Sequence, residues 1–134
     1  MELLTYPKTE YLLDASLESL HAESLTWLSE ISFWTDEMAF YYKLLHKKEL
    51  VETCPPLDLA FLEKDLIKIY GEKLDKVRLE IKSHERALAS VIKSTSLQEE
   101  ENFREAHRRL LMEIYEIQML IRIFKKRVFE FIKK

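Results

Sequence analysis

The sequence predicts an all-α protein, an elongated, antiparallel, up-down-up three-helix bundle with coiled-coil-like packing. Residues that interrupt helices are scarce, with one glycine and three prolines among 134 residues. After residue 16, only Thr53-Cys54-Pro55-Pro56 and Ser94-Thr95-Ser96 break the helical spacing of apolar residues. We therefore expect helices over about 16–51, 57–93 and 97–133 in one domain of residues 16–134. A leader, residues 1–15, is expected to pack on this bundle.

The first helix is predicted from a seam, a row of core-facing residues with the alternating three- and four-residue spacing of a heptad repeat. Its members are Leu17, Leu20, Ser24, Trp27, Ile31, Trp34, Met38, Tyr41 and Leu45. Ser24 is the polar exception in this row. Pro55 and Pro56 cannot continue a helix interior, but they suit a loop and the first turn of the next helix.

The second helix continues with the same spacing. Its predicted seam is Ile67, Tyr70, Leu74, Val77, Ile81, His84, Leu88 and Val91. His84 is the polar exception here. Gly71 lies inside the predicted helix, where glycine costs about 1 kcal/mol relative to alanine, and it indicates a bend or a close contact.

The third helix is predicted to begin with a capping box, in which Ser96 caps the first turn and Glu99 reaches back. Its seam is Phe103, His107, Leu110, Ile114, Ile117, Ile121, Phe124, Val128 and Phe131. Helices of about 36 residues are about 54 Å long, and short connections force neighbouring helices to run antiparallel.

Two histidines should meet in the core of this bundle. His84 lies about ten residues before the second break and His107 about as far after it, so both should occupy one layer, which Ser24 approaches from the first helix. We interpret Ser24, His84 and His107 as hydrogen-bonded to one another and to a water, in a buried polar layer that fixes the register, as a core asparagine does in coiled coils.

An alternative interpretation of the same layer is a metal-binding or pH-sensing site. Its ligands would be His84, His107 and Glu80, because Glu80 lies four residues before His84 on the same helix face. Glu23, Glu30 and Glu105 are further acids within reach. A ferritin-like site is disfavoured, because it needs paired Glu-x-x-His motifs and the chain supplies one. The preferred interpretation includes no cofactor.

Apolar residues also lie outside the seams. In the third helix, Met112, Tyr115, Met119 and Ile123 form a second stripe, and Phe33 and Phe40 flank the seam of the first helix. One three-helix bundle cannot bury all of these faces, and exposed apolar patches mark interaction sites. We expect the leader to cover one face and a second copy of the chain to cover another, in a homodimer.

Charge is distributed unevenly along the chain. Residues 1–53 carry ten acids and four bases, while the remaining segments are slightly basic. One end of the bundle should form a basic pole that includes Lys47, Lys48, Lys125, Lys126 and Arg127. Cations near helix C-termini are favoured by the helix dipole, and a chain with a net charge of −3 gains little from phosphate attraction. We therefore expect neither nucleic-acid nor membrane binding.

The function classes narrow accordingly. The sequence has no phosphate-binding glycine loop, no nucleophile motif and no His-Glu-x-x-His, so we expect no catalytic residue, no enzyme activity and no small-molecule substrate. The N-terminus lacks the basic start and apolar core of a signal peptide, and a single cysteine suits a reducing compartment, so a cytoplasmic location is expected. The sequence thus predicts a non-enzymatic interaction or scaffold protein that binds a helical partner.

Overall fold

A computed structural model describes residues 15–47, 52 and 56–133. Almost all of the predicted leader, residues 1–14, lies outside the described residues, as do Lys48, residues 49–51, and Thr53, Cys54 and Pro55 of the first break. In the described parts of the chain the secondary structure is helical and contains no strand. The all-α prediction is therefore confirmed.

Helix α1 spans Leu17–Leu45. Ser16 is its N-cap, and its Oγ accepts a hydrogen bond from the Ser19 backbone N–H at 3.1 Å, which satisfies one of the free donors of the first turn. Every predicted seam residue from Leu20 to Leu45 is buried, including Ser24. The α-helix ends at Leu45 rather than near residue 51, because His46 leaves helical geometry and its N–H bonds Lys43 O at 3.2 Å.

Helix α2 has three consecutive parts: an α-helical part Pro56–Ile67, a π-helical part Lys68–Leu74 and an α-helical part Asp75–Lys93. The π-helical part was not predicted. A π-helix accommodates an extra residue in the helix, so the parts on either side of it follow two different seams.

The predicted seam of α2 is wrong before Leu74. Ile67 is 60% exposed and Tyr70 is 44% exposed, although both were placed in the core. The buried residues of this part are instead Leu59, Leu62, Leu66 and Ile69. From Ile69 the next buried residue is Leu74, a step of five, and from Leu74 onward the predicted seam is buried. The prediction failed because it extended the later seam backward without allowing for an inserted residue.

Helix α3 spans Leu97–Lys133 and begins where predicted. Ser96 Oγ accepts a hydrogen bond from the Glu99 backbone N–H at 3.3 Å, which is the first half of the expected capping box. All nine predicted seam residues are buried, and Leu111 is buried beside them.

The helices pack as a bundle in which each contacts the other two. Among the inter-helix ion pairs are His21 with Glu85, His46 with Glu63 at 3.4 Å, Glu37 with Lys125 at 2.5 Å and Asp65 with Arg127 at 2.9 Å. The start of α1 therefore lies beside the later part of α2. Helices α1 and α3 run in the same direction. These contacts are compatible with the up-down-up order. In the described part of the chain, no helix has the length and apolar composition needed to span a membrane.

Candidate functional site

The two core histidines meet as part of a chain of hydrogen bonds. His84 Nε2 lies 3.0 Å from His107 Nδ1, and His107 Nε2 lies 2.7 Å from Glu23 Oε1. His107 is completely buried and His84 almost so. Glu23 belongs to α1, His84 to α2 and His107 to α3, so these hydrogen bonds connect all three helices at one level. From here on, we call these three hydrogen-bonded residues the polar layer.

Aromatic side chains enclose both imidazole rings. Trp27 stacks on His107 with a centroid distance of 4.6 Å, and Phe103 stacks on His84 at 4.1 Å with an interplanar angle of 5°. Phe103 lies one turn before His107 on α3, and this spacing brings its ring to the level of the two histidines. The imidazoles are therefore held in one orientation by rings on their faces and by hydrogen bonds at their edges.

The carboxylate of Glu23 sets the direction of the hydrogen bonds. An ionised carboxylate only accepts hydrogen bonds. The Nε2 atom of His107 therefore carries a hydrogen and donates a hydrogen bond to Glu23. When both imidazoles are neutral, His107 Nδ1 then accepts from the Nε2–H of His84. Burial lowers the pKa of His84 to about 4, with a further lowering from His107, so His84 is neutral at pH 7.

Ser24 lies in the same core but does not take part in the hydrogen bonds of the polar layer. Its side chain is fully buried, and its Oγ has no hydrogen-bond partner among the described residues. The expected hydrogen bond from Ser24 to the histidines is therefore not formed. Glu23, its neighbour in sequence, supplies the contact from α1 instead.

The three predicted metal ligands do not form one cluster, although His84 and His107 meet. Glu80 lines the groove between α2 and α3 with His84, but its Oε1 lies 3.4 Å from Lys76 Nζ. Glu80 also raises the pKa of Glu113, after the larger effect of burial. Within the described ranges, no group of three or more His, Cys, Asp or Glu side chains is arranged to hold a metal ion.

The polar layer crosses the bundle from one groove to another. Glu23 lines a groove between α1 and α3 together with Thr26 and Tyr115. At the other end of the polar layer, His84 lines the groove between α2 and α3. A displacement of any helix by one residue, about 1.5 Å, would break one of these hydrogen bonds, so the geometry can fix the register of three helices.

A second feature is a set of exposed phenylalanines on the side of the bundle formed by α1 and α3. Phe33 and Phe40 are each 61% exposed and Phe129 is 53% exposed. Phe33 and Phe40 lie one turn before and after Glu37, Phe129 lies one turn after Lys125, and Glu37 and Lys125 form an ion pair. Residues one turn apart share a helix face, so the three rings lie on one side, which we call the phenylalanine face.

The predicted stripe on α3 is divided between two sides. Tyr115 lines the α1/α3 groove with Glu23, whereas Met112 lines the α2/α3 groove with Lys73 and Lys76. Met119 is half-buried and Ile123 exposed. Of the six residues predicted as an interaction surface, Phe33, Phe40 and Tyr115 therefore lie on the α1/α3 side.

The predicted basic pole is partly neutralised. Lys125 pairs with Glu37 at 2.5 Å and Arg127 pairs with Asp65 at 2.9 Å. Lys47 follows the end of α1 and Lys126 is exposed, while Lys48 lies outside the described residues.

Sequence reasoning missed two exposed phenylalanines and one ion pair between helices. Phe129 and Phe61 each lie outside their seams and are more than half exposed, and Glu85 pairs with His21. The signal for the two phenylalanines was available, since a large aromatic residue outside a seam has no place in the core of its own bundle.

Comparison with known proteins adds no relationship: no family model matches the sequence, and neither a curated protein nor a solved structure matches it significantly.

Proposed function

We propose that this chain is a non-enzymatic helical interaction protein that forms a homodimer through the phenylalanine face. The observation that carries the proposal is the exposure of Phe33, Phe40 and Phe129 on one side of the bundle. Full burial of a phenylalanine contributes about 1.5 to 3 kcal/mol, so a partner that covers three of them gains a large apolar contribution.

The size of this side suits a dimer. Helix α1 has 29 residues, which corresponds to a length of about 44 Å, and two helices side by side are about 20 Å wide. The resulting area of about 900 Å² is close to the 800 Å² or so that each partner buries in a stable interface. The whole side of the bundle would therefore be covered.

The charges at the ends of the phenylalanine face favour a second copy as the partner. Glu30 lies one turn before Phe33, and Lys126 lies one turn before Phe129; neither forms an ion pair with a described residue. Burial raises the pKa of Glu30, which indicates a poorly solvated carboxylate. A two-fold axis across the face would place Glu30 near Lys126 of the partner subunit, so the face is self-complementary.

The polar layer fits this proposal as a structural element. A pH sensor needs a histidine that changes charge between about pH 5 and 8, and the pKa of His84 is about 4. The layer is better suited to hold the helices in register, so that side chains on α1 and α3 form one face.

The proposal is tested by sedimentation equilibrium of the wild-type chain and of two variants. Phe33→Glu combined with Phe40→Glu should convert a dimer to a folded monomer, because two buried charges would be unpaired. Phe61→Glu is the matched control: Phe61 is also 61% exposed, but it lines a groove between α2 and α3. This variant should remain dimeric. A wild-type chain that is monomeric at every concentration, or equal dissociation of all variants, would refute the proposal.

A further inference from the structure

An apolar groove lies between α1 and α2, on a different side of the bundle from the phenylalanine face. It has a volume of about 290 Å³. Its lining is Ala39, Tyr42, Leu66, Ile67, Tyr70 and Gly71, with Lys43 at its edge. Small residues, Ala39 on α1 and Gly71 on α2, leave the space, and the larger residues form its walls.

The π-helical part of α2 creates this groove. Because the seam changes between Ile69 and Leu74, Ile67 and Tyr70 are left outside the core, where they line the groove. Apolar and tyrosine side chains of this kind are typical of the centre of protein interfaces. π-Helical turns also occur frequently at functional sites.

Gly71 leaves the groove open to close approach by the backbone of a partner. It lies inside a helix, where glycine is about 1 kcal/mol less favourable than alanine. The φ of Gly71, the one glycine of the sequence, is not positive. A Cβ added at Gly71 would meet nothing within 4 Å. The described fold therefore has no steric requirement for glycine at this position, whereas a partner packed closely against the backbone would have one.

The charges around the groove identify the chemistry of that partner. Lys43 lines the groove, Lys47 follows the end of α1, and Lys64 lies one turn before Ile67 on α2. None of the three forms an ion pair with another described residue. The nearby Glu63 pairs with His46 at 3.4 Å, and Asp36, one turn before Ala39, lies toward the other end of the groove. A partner with carboxylates beside an apolar anchor would complement this surface.

We propose that the groove binds an acidic amphipathic helix of another protein, whose apolar side chain inserts over Gly71 between Tyr42 and Tyr70. Helix-in-groove recognition uses apolar anchors at one-turn spacing, and the groove lies between two helices along which such anchors can align. Lys43, Lys47 and Lys64 would face the acidic side chains that flank the anchor. The proposal does not depend on the homodimer, because it uses the opposite side of α1.

The test measures binding of a synthetic helical peptide by fluorescence anisotropy. The peptide carries leucines at one-turn spacing along one face and glutamates elsewhere, and the control peptide has the same leucines with lysines in place of the glutamates. We expect the wild-type chain to bind the glutamate peptide at least about tenfold more tightly than the lysine peptide. Equal binding of the two peptides, or no binding of the glutamate peptide, would overturn the proposal.

Two variants locate the site. Gly71→Leu should fill the groove and weaken binding by about tenfold or more, while helicity is retained because the new side chain extends into open space. Lys64→Glu should weaken binding through charge repulsion, and it leaves the groove open. Lys93→Glu, at the other end of α2, is the matched control and should bind as the wild type does. Unchanged binding by either groove variant would place the peptide elsewhere. Sedimentation of these variants should match the wild type, so failure here is distinguishable from failure of the dimer.

Discussion

Acid should destabilise this protein through His84 in a pH range that the structure defines. The pKa of histidine in an unfolded chain is about 6.5, and burial lowers the pKa of His84 to about 4 in the folded protein. Between these two values the unfolded chain binds more protons than the folded chain, so stability falls as pH falls. Well above pH 6.5 the group is neutral in both states and has almost no effect.

The size of this effect follows from the two pKa values. Relative to pH 7, protonation of His84 in the unfolded chain should reduce the free energy of unfolding by about 2 kcal/mol at pH 5 and about 3 kcal/mol at pH 4. The limit at lower pH is slightly above 3 kcal/mol. A change of this size is a large fraction of the stability of a small domain.

Urea unfolding of the wild-type chain and of His84→Gln at pH 7, 5 and 4 measures this contribution. Glutamine does not titrate, but its amide can still donate a hydrogen bond to His107 Nδ1. Both proteins share the carboxylates that face the layer, which are Glu23 on α1, Glu80 on α2 and Glu113 on α3, and they share the Glu85 carboxylate, which pairs with His21. Contributions that are common to both proteins therefore cancel largely in the difference between them. Parallel loss of stability in both proteins would refute the conclusion that His84 is held neutral by burial.

Two further predictions concern the core. Ser24→Ala should raise the free energy of unfolding, measured by urea unfolding, by about 1 kcal/mol more than Ser29→Ala does. The reason is that Ser24 Oγ is buried without a partner among the described residues, whereas Ser29 is exposed. A loss of stability in Ser24→Ala would show that the hydroxyl is bonded. Deletion of Gly71 should leave cooperative unfolding in place, with a change in the free energy of unfolding of about 1 kcal/mol or less. Deletion of Lys82 should abolish cooperative unfolding, because it rotates every later seam residue by about 100°. Equal damage by both deletions would contradict the two-seam account of α2.

The sequence predicted most of the fold because the spacing in α1 and α3 is continuous. Each of these helices alternates steps of three and four, so one register accounts for the buried positions from Leu20 to Leu45 and from Phe103 to Phe131, with Leu111 as the exception. The meeting of His84 and His107 was predictable for a related reason. Two helices that reverse at a short connection place residues at equal distances from it in the same layer.

The partners and surfaces were less predictable, because they depend on competition between side chains. Glu80 has the correct spacing to approach His84, but Lys76 lies four residues before it and is close to its carboxylate. Glu23 reaches His107 across the interface between α1 and α3, which spacing within one helix does not reveal. Which exposed residues share a side also depends on how each helix is rotated about its axis, and this is why Met112 and Tyr115 line different grooves.

The π-helical part of α2 is explained by what either seam would bury if it continued alone. The earlier seam, extended from Ile69, would place Lys73 and Lys76 in the core, and each buried ammonium group costs several kcal/mol. The later seam, extended backward from Leu74, would bury Glu63 and expose Leu62 and Leu66, which are buried in the structure. A five-residue step between the seams avoids both outcomes, at the expense only of local helix geometry. Because that step leaves Ile67 and Tyr70 outside the core, a deletion that restores a single seam from Ile69 to Leu74 should preserve the core while it changes the lining of the α1/α2 groove.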